Sequence, residues 1–463
     1  MRKFWTVLTA LMFLAAGSLQ VLATDVPTHD TIKRISLKTD GGAVLQTIAS
    51  TPDGKIAALL SSSDHGSPRA SKAADEVRIL DANGAELSKW TLDFTGQSIG
   101  AGPDGSIYVA GDGQLAKYST SGKLLAKLEV PHIAEVLKDN AKIKEMAEAQ
   151  LKEQSGAYTA IVKSLTDEIK TLEDKGKEKL KEQSKTSEPI VKSLTQEYKA
   201  PETSGKDGLT DEERTELEQM RANLKVYEQY TKGSEKENVE KVMLQVTSRL
   251  RYINAISATD KDVFIVCGEL KGRGYAVWRM DREFKNPVQV MSGVPGCCGQ
   301  MDVQAQGESI YVAENCKHRI AQYDRDGKAL LAFGKHSREE SEGDNFGGCC
   351  NPMNCRVCGN GDVYTAESEG VIKKFNAKGQ FEGLVATVKL EGGCKNVAVA
   401  ASPTGDKVYL CDHPGSKVVI LGKRSPDAYK AAVEKQAEED KKVGARKPDE
   451  ESLFGRIIDS IFR

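Results

Sequence analysis

The 463-residue chain lacks a charge excess of either sign. Lys and Arg total 65 against 67 Asp and Glu, which gives a net charge of −2. A protein that holds a polyanion uses a field of positive charge, so this balance argues against nucleic acid as a partner. The hydrophobic fraction of 39% is ordinary for a globular protein and permits a packed core.

The sequence has no apolar run long enough to cross a membrane after its first residues. Arg2 and Lys3 precede the apolar stretch Phe4–Ala16, and Val21–Ala23 gives a small-residue cleavage pattern. This order predicts a secretory signal peptide over residues 1–23. We therefore expect a periplasmic or secreted mature protein, in a compartment where disulfides persist.

The sequence also lacks the common catalytic fingerprints. It contains no Gly-x-Ser-x-Gly, Walker or dinucleotide-binding pattern, no Cys-x-x-Cys-His for covalent haem, and only six histidines. These absences favour a protein that is not an enzyme and leave the question open.

Six hairpin-like units of similar length are present. Each is a strand, a turn usually marked by glycine, and a further strand pair, with a spacing of about 50 residues that is typical of propeller blades. The units predict blades 1–2 over residues 31–132 and blades 3–6 over residues 250–423, and the strand Lys33–Leu37 is expected to complete the last blade. The units begin at Thr51, Gly102, Ala255, Gln304, Gly359 and Ser402.

Two segments depart from this pattern. Residues 133–249 are rich in Lys, Glu, Gln and Leu and predict a helical, coiled-coil-like insertion, with a capping box from Thr210 to Glu213. It is either a solvated spacer or a partner-binding arm. Residues 424–463 predict a charged linker and an amphipathic helix whose apolar stripe, Leu453–Phe462, docks on the protein itself or attaches to a membrane or partner.

The units resemble the NHL-type six-bladed β-propellers. Ile310–Leu330 and Val363–Phe381 carry the resemblance, and Phe346–Asn354 is similar to a Gly-Cys-Cys-Asn-Pro element of a bacterial secreted subgroup. The resemblance implies an all-β, NHL/TolB-like six-bladed propeller with the helical insertion and tail as additions. It does not fix the chemistry, because this fold serves lyases, lactonases and binding scaffolds alike.

All ten cysteines lie between Cys267 and Cys411. Their places in the repeat predict that eight of them surround one mouth of the central channel, with Cys355 and Cys358 in or near the fifth inner strand. Three chemistries compete for these thiols: disulfides between loops, a zinc or iron–sulfur site, and a thiol redox centre. The candidate metal ligands are Cys297, Cys298, Cys316, Cys349, Cys350 and Cys394, and Cys267 and Cys411 are further mouth candidates.

Polar side chains are expected at the same mouth. Glu314, Glu367 and Asp412 follow equivalent strands, with His318 and His413 nearby. The carboxylates either accept hydrogen bonds from loop backbone, or hold calcium, which is the less favoured cofactor, or act in acid–base chemistry.

The sequence thus favours an extracytoplasmic binding scaffold. Its partner is a protein or small molecule at the mouth, with a further protein contact on the helical insertion. The alternative is a metal or iron–sulfur propeller with redox or lyase-type activity.

Overall fold

The computed structural model describes residues 26–64, 67–68, 74–190, 207–235, 239–272, 274–297, 300–337, 343–348, 350–390 and 397–444. The predicted signal peptide and the Leu453–Phe462 stripe lie outside these residues. The chain forms two compact units, of which one is Val136–Thr247 and the other combines the segments on both sides of it.

The described residues of the larger unit form six four-stranded antiparallel sheets. In chain order the strands are β1 (His29–Ser36); β2 (Val44–Ser50), β3 (Ile56–Ser61), the short pair β4 (Ser63–Asp64) and β5 (Ser67–Pro68), β6 (Glu76–Leu80) and β7 (Glu86–Thr91); β8 (Ser98–Ala101), β9 (Ile107–Gly111), β10 (Gln114–Tyr118) and β11 (Leu124–Glu129). The third sheet has β12 (Ile253–Ala258), β13 (Asp262–Gly268), β14 (Tyr275–Asp281) and β15 (Val288–Val294). The fourth has β16 (Asp302–Gln306), β17 (Ser309–Glu314), β18 (Arg319–Asp324) and β19 (Ala329–Phe333).

The two remaining sheets follow a short parallel pair, β20 (Lys335–His336) and β21 (Asn345–Phe346). The fifth sheet has β22 (Asn354–Val357), β23 (Val363–Ala366), β24 (Val371–Phe375) and β25 (Phe381–Thr387). The sixth has β26 (Val399–Ala401), β27 (Lys407–Asp412) and β28 (Lys417–Lys423), and β1 pairs with β28 as its outer strand.

The innermost strands of the six sheets contact one another in a closed cycle, in the order β2, β8, β12, β16, β22, β26 and back to β2. This is the arrangement of a β-propeller. The sixth sheet joins the two ends of the unit, because β1 comes from the start of the chain and β28 from its end. The expected closing strand, Lys33–Leu37, overlaps β1, which begins four residues earlier.

Buried apolar clusters fill the spaces between neighbouring sheets. The cluster between the sixth and first sheets includes Leu45, Tyr409 and Ile420, and the cluster between the fourth and fifth includes Tyr311 and Phe375. Since each cluster draws on two sheets, each sheet buries both of its faces only with a neighbour on either side. The Asp-Gly turn between β2 and β3 depends on its glycine. Gly54 adopts φ +80°, which a residue with a side chain adopts only with strain.

The helical segments are α1 (Pro131–Leu137), α2 (Asn140–Ile190), α3 (Asp211–Glu235), α4 (Val239–Arg251) and α5 (Pro426–Gly444). In the smaller unit α2 packs on α3 around buried Ile169 and Leu217. The predicted capping box is present, because Glu213 N–H donates to Thr210 Oγ1 at 3.2 Å and Thr210 N–H donates to Glu213 Oε2 at 3.0 Å. The coiled-coil interpretation of this unit stays a prediction. No helix among the described residues is long and apolar enough to span a membrane.

Candidate functional site

Two cysteine-bearing loops meet at one end of the ring. One loop leads into β16 and carries Cys297, and the other leads into β22 and carries Cys350. The two Sγ atoms are 2.9 Å apart although the residues are 53 positions apart in sequence. The fourth and fifth sheets are therefore in contact through sulfur at this end of the ring, which we call the mouth.

Asn315 fixes the first loop. Its side chain is 1% exposed. Its Oδ1 accepts the N–H of Cys297 at 2.9 Å, and its Nδ2 donates to the carbonyls of Cys297 and Gln300 at 3.2 and 3.3 Å. One buried amide thus satisfies three backbone groups of the loop and sets the direction in which Cys297 leaves it.

Asn351 fixes the second loop in the same way. Its Nδ2 donates to Gly347 O at 2.8 Å and to Glu369 Oε2 at 2.7 Å, and its Oδ1 accepts the N–H of Ser368 at 2.8 Å. Neither asparagine was predicted from the sequence. The available signal was position: Asn315 directly precedes Cys316, and Asn351 directly follows Cys350.

Glu314 is engaged by three side chains. Lys317 Nζ and Arg319 Nε donate to its carboxylate at 2.9 and 2.5 Å, and Tyr323 Oη donates at 3.2 Å. Burial by itself would raise the pKa of Glu314, but the bonds from Arg319 and Lys317 outweigh it and hold the pKa below its usual range. The carboxylate is therefore ionised and paired at neutral pH.

Glu367 and Asp412 bind loop backbone. Glu367 Oε2 accepts the N–H of Gly347 at 3.0 Å, and its Oε1 pairs with Lys373 Nζ at 3.1 Å, with both side chains fully buried. Asp412 Oδ1 accepts the N–H of Gly415 at 3.2 Å. Because Gly347 belongs to the Cys350 loop, Glu367 and Lys373 also help to position that thiol.

Two further carboxylates have the same role, and neither was predicted from the sequence. Glu269 accepts the N–H of Gly293 at 2.5 Å, and Asp75 accepts the N–H of Gly96 at 2.7 Å. In the third sheet the sequence alignment of the units puts Cys267 at this position, whereas the structure uses Glu269, two residues later. A shift of two residues keeps the side chain on the same side of an extended chain.

Four further cysteines are buried, three of them in clusters between sheets and Cys267 beside a histidine of α1. Cys411 Sγ is 3.8 Å from Gln46 O, and Cys267 Sγ is 3.5 Å from His132 Nε2. Cys355 belongs to the cluster between the fourth and fifth sheets and Cys358 to the cluster between the fifth and sixth. The Cys-x-x-Cys pair therefore faces opposite sides of its sheet.

Burial makes these four thiols poor nucleophiles, because it disfavours the thiolate. It raises the pKa of Cys267 to about 12 and also raises the pKa of Cys355, Cys358 and Cys411. The two mouth candidates Cys267 and Cys411 are thus placed in cores whose chemistry differs from that of Cys297 and Cys350.

The histidines occupy separate places. His413 Nδ1 is 2.7 Å from Leu45 O, in the buried contact between the sixth and first sheets. His318 has a left-handed backbone (φ 51°), and its ring centroid is 4.1 Å from that of His336. Cys316 is exposed next to Asn315.

Cys298, Cys349 and Cys394 lie outside the described residues. Within the described part of the chain, no three His, Cys, Asp or Glu side chains are grouped so that they could hold one metal ion.

No protein-family model and no curated protein matches the sequence. Solved structures of similar fold include the RRP9 WD40 repeats (7% identity, TM-score 0.41, covering 86% of this chain and 100% of that chain). They also include the Cps50 (Swd1) β-propeller domain of Myceliophthora thermophila (8%, 0.36, 86% and 100%) and the calcium-binding protein regucalcin of Agrobacterium tumefaciens (11%, 0.41, 86% and 95%). These similarities are too distant to indicate what this chain binds.

Proposed function

We propose that the chain is an extracytoplasmic, NHL-type six-bladed β-propeller that acts as a binding scaffold. The observation that carries the proposal is the construction of the mouth, where buried Asn315 and Asn351 hold two loops so that Cys297 and Cys350 touch. A rigid rim of loops on a closed ring suits recognition, because little conformational entropy is lost when a partner binds. The partner is a protein or a small molecule, and the helical unit offers a second protein contact.

The ionisable groups at the mouth support a binding role. Glu314 is paired with two cations, and Glu367 is shared between Lys373 and the Gly347 N–H. A general acid or base needs a proton that it can exchange near neutral pH. Carboxylates committed to these contacts instead stabilise the loops.

The contact between Cys297 and Cys350 suits a disulfide between the fourth and fifth sheets. In an oxidising compartment, a disulfide-donating oxidant takes two electrons from the two thiols, two protons leave, and the S–S bond forms. The cross-link would hold the two loops of the rim together.

A zinc or iron–sulfur site is the second candidate. Cys316 is exposed and directly follows Asn315, the residue whose amide holds the Cys297 loop. Thiolates are the preferred ligands of zinc and of iron–sulfur clusters. In that case the contacting thiols of Cys297 and Cys350 would be two of the ligands, and Cys298, Cys316, Cys349 and Cys394 are the further thiols available from the sequence.

Elemental analysis and an absorption spectrum of protein purified without oxygen distinguish the two candidates. We expect no stoichiometric metal. After air exposure and proteolysis, we expect a disulfide-linked pair of peptides from the two loops. A Cys298→Ser/Cys349→Ser variant is the matched control, because it leaves only Cys297 and Cys350 to form that link. Stoichiometric zinc or iron that is lost in Cys297→Ser would establish the second candidate instead.

The scaffold itself is tested with a photo-crosslinker. The crosslinker is incorporated as a photoreactive amino acid in place of Lys317 at the mouth and, as control, in place of Leu330 on the exposed outer strand β19, because a thiol reagent would also label the exposed Cys316. A defined partner that crosslinks from position 317 but not from position 330 supports binding at the mouth. Equal labelling from both positions, or none from either, contradicts it.

A further inference from the structure

The six innermost strands enclose a central cavity. Residues from all six of these strands, β2, β8, β12, β16, β22 and β26, line it, together with residues just before β12, β16 and β22. Much of the lining is polar, including Thr47, Ser98, Gln300, Asn354 and Arg356. A polar cavity at the axis of the ring is suited to a hydrophilic ligand.

Arg356 brings a positive charge to this cavity. Its Nη1 donates to Gln304 Oε1 at 3.2 Å, and its Nη2 donates to the carbonyl of Ser50 at 3.0 Å. Both acceptors are neutral, and across the described part of the chain Arg356 has no ion pair with a carboxylate. Burial lowers the pKa of Arg356, which shows the cost of holding this charge away from water.

The carboxyl group of the cavity wall is committed elsewhere. Asp302 Oδ2 accepts the N–H of Cys355 at 2.9 Å, and its Oδ1 accepts from Gln304 Nε2 at 3.1 Å. The Gln304 amide therefore stands between Asp302 and Arg356 and bonds to both. The direct hydrogen bond of the guanidinium on this side is to the neutral Gln304 amide and not to the Asp302 carboxylate.

We propose that the central cavity binds a small oxyanion, a carboxylate or a phosphate, through Arg356. A guanidinium presents five N–H donors in a planar fork, and the two bonds already made leave donors for an anion. Asn354 lines the cavity and uses its Oδ1 to accept the N–H of Val399 at 2.9 Å, so its Nδ2 is available as a second donor. Gln300 also lines the cavity and provides a further amide.

This inference does not depend on the thiol chemistry of the mouth. Arg356 belongs to β22, an innermost strand, and its partners come from β2 and β16. The cavity is therefore formed by the ring itself. Anion binding should persist in a Cys350→Ser protein. Loss of the thiol contact and loss of anion binding can therefore be observed separately, so the inference and the proposed function can fail independently.

Isothermal titration of the full chain with inorganic phosphate and, separately, with succinate tests the inference. We expect at least one of the two to bind with 1:1 stoichiometry, and the comparison shows whether phosphate or carboxylate is preferred. Arg356→Gln should weaken the affinity at least tenfold. Arg424→Gln, which removes an exposed guanidinium paired with Asp30, should leave it unchanged.

Arg356→Lys keeps the charge but loses the fork, so it serves if Arg356→Gln fails to fold. We expect Arg356→Lys to bind the anion several-fold more weakly than the wild type. Added NaCl should lower the affinity of both proteins by the same factor. Absence of binding of both anions by the wild type, or equal affinity in the wild type and the Arg356 variants, would overturn the inference.

Discussion

Cys297 Sγ lies 2.9 Å from Cys350 Sγ, and each thiol enters this contact from a loop that a buried asparagine holds. The contact joins successive sheets of the ring. Cys350 is fully buried, whereas Cys297 is partly exposed.

The first prediction concerns the energetic coupling of this pair. If the thiols are cross-linked, Cys297→Ser, Cys350→Ser and the double variant should each lower the free energy of unfolding by the same amount, about 2–4 kcal/mol. Reductant should lower the stability of the wild type to that level. Chemical denaturation with and without reductant measures both effects.

Cys411→Ala is the control, because it removes a buried thiol from the core between the sixth and first sheets. Its cost should be the same in both conditions. The two thiols are not linked if the losses in unfolding free energy of the single variants add up in the double variant and reductant leaves the stability of the wild type unchanged.

The sequence predicted the sheets better than it predicted this contact, for a physical reason. Asp-Gly turns such as the one at Gly54 and the alternation of apolar residues along strands are local signals, so the repeat is visible without the structure. The partner of Cys350 is not local. The repeat aligns Cys350 with Cys394, because each stands 11 residues before a turn glycine, and it does not align either of them with Cys297.

The loop-fixing residues were missed for a related reason. Asn315 and Asn351 act by meeting backbone groups of loops, and an asparagine beside a cysteine has no distinctive pattern in one sequence. Glu269 was missed because Cys267 occupies the aligned position. By contrast, the acceptor role considered for Glu367 and Asp412 agrees with the hydrogen bonds that the structure gives them.

The second prediction is that Asn315→Ala destabilises the protein by about 2–4 kcal/mol, because it leaves buried backbone groups of the Cys297 loop without partners. The thiol of Cys297 should also react faster with an alkylating reagent once the loop is released. Asn376→Ala is the matched control, since Asn376 accepts two backbone N–H bonds in an exposed turn. It should cost less than about 1 kcal/mol. Similar costs for the two variants would argue against the proposed role of Asn315.

The third prediction concerns the buried pair of Glu367 and Lys373. Lys373→Met leaves a buried carboxylate without its cation, so we expect a loss of about 3–5 kcal/mol in unfolding free energy. Adding Glu367→Gln should recover part of that loss. Lys335→Met tests an exposed pair at the same 3.1 Å separation, with Asp344, and should cost less than about 1 kcal/mol. A double variant that costs the sum of the two singles would show that the pair is not coupled.

The last prediction uses pH and a buried histidine. The ring of His132 stacks on Trp278 with centroids 3.7 Å apart, and burial lowers the pKa of His132 to about 3. In the unfolded chain the pKa is about 6.5. Between these two pH values the unfolded state binds one proton more than the folded state. The contribution of neutral His132 to the free energy of unfolding is therefore fully present above pH 6.5 and decreases as the pH falls toward 3.

His132→Phe keeps the stacking on Trp278 and removes the proton. At about 1.36 kcal/mol per pH unit, the wild type should lose about 2 kcal/mol more than His132→Phe between pH 7.5 and pH 5.0. Denaturant titrations at the two pH values measure the difference, and other titrating groups cancel because both proteins contain them. His336→Phe changes an exposed ring and should follow the wild type. If His132→Phe instead shows the same acid sensitivity as the wild type, His132 is not held neutral in the folded protein.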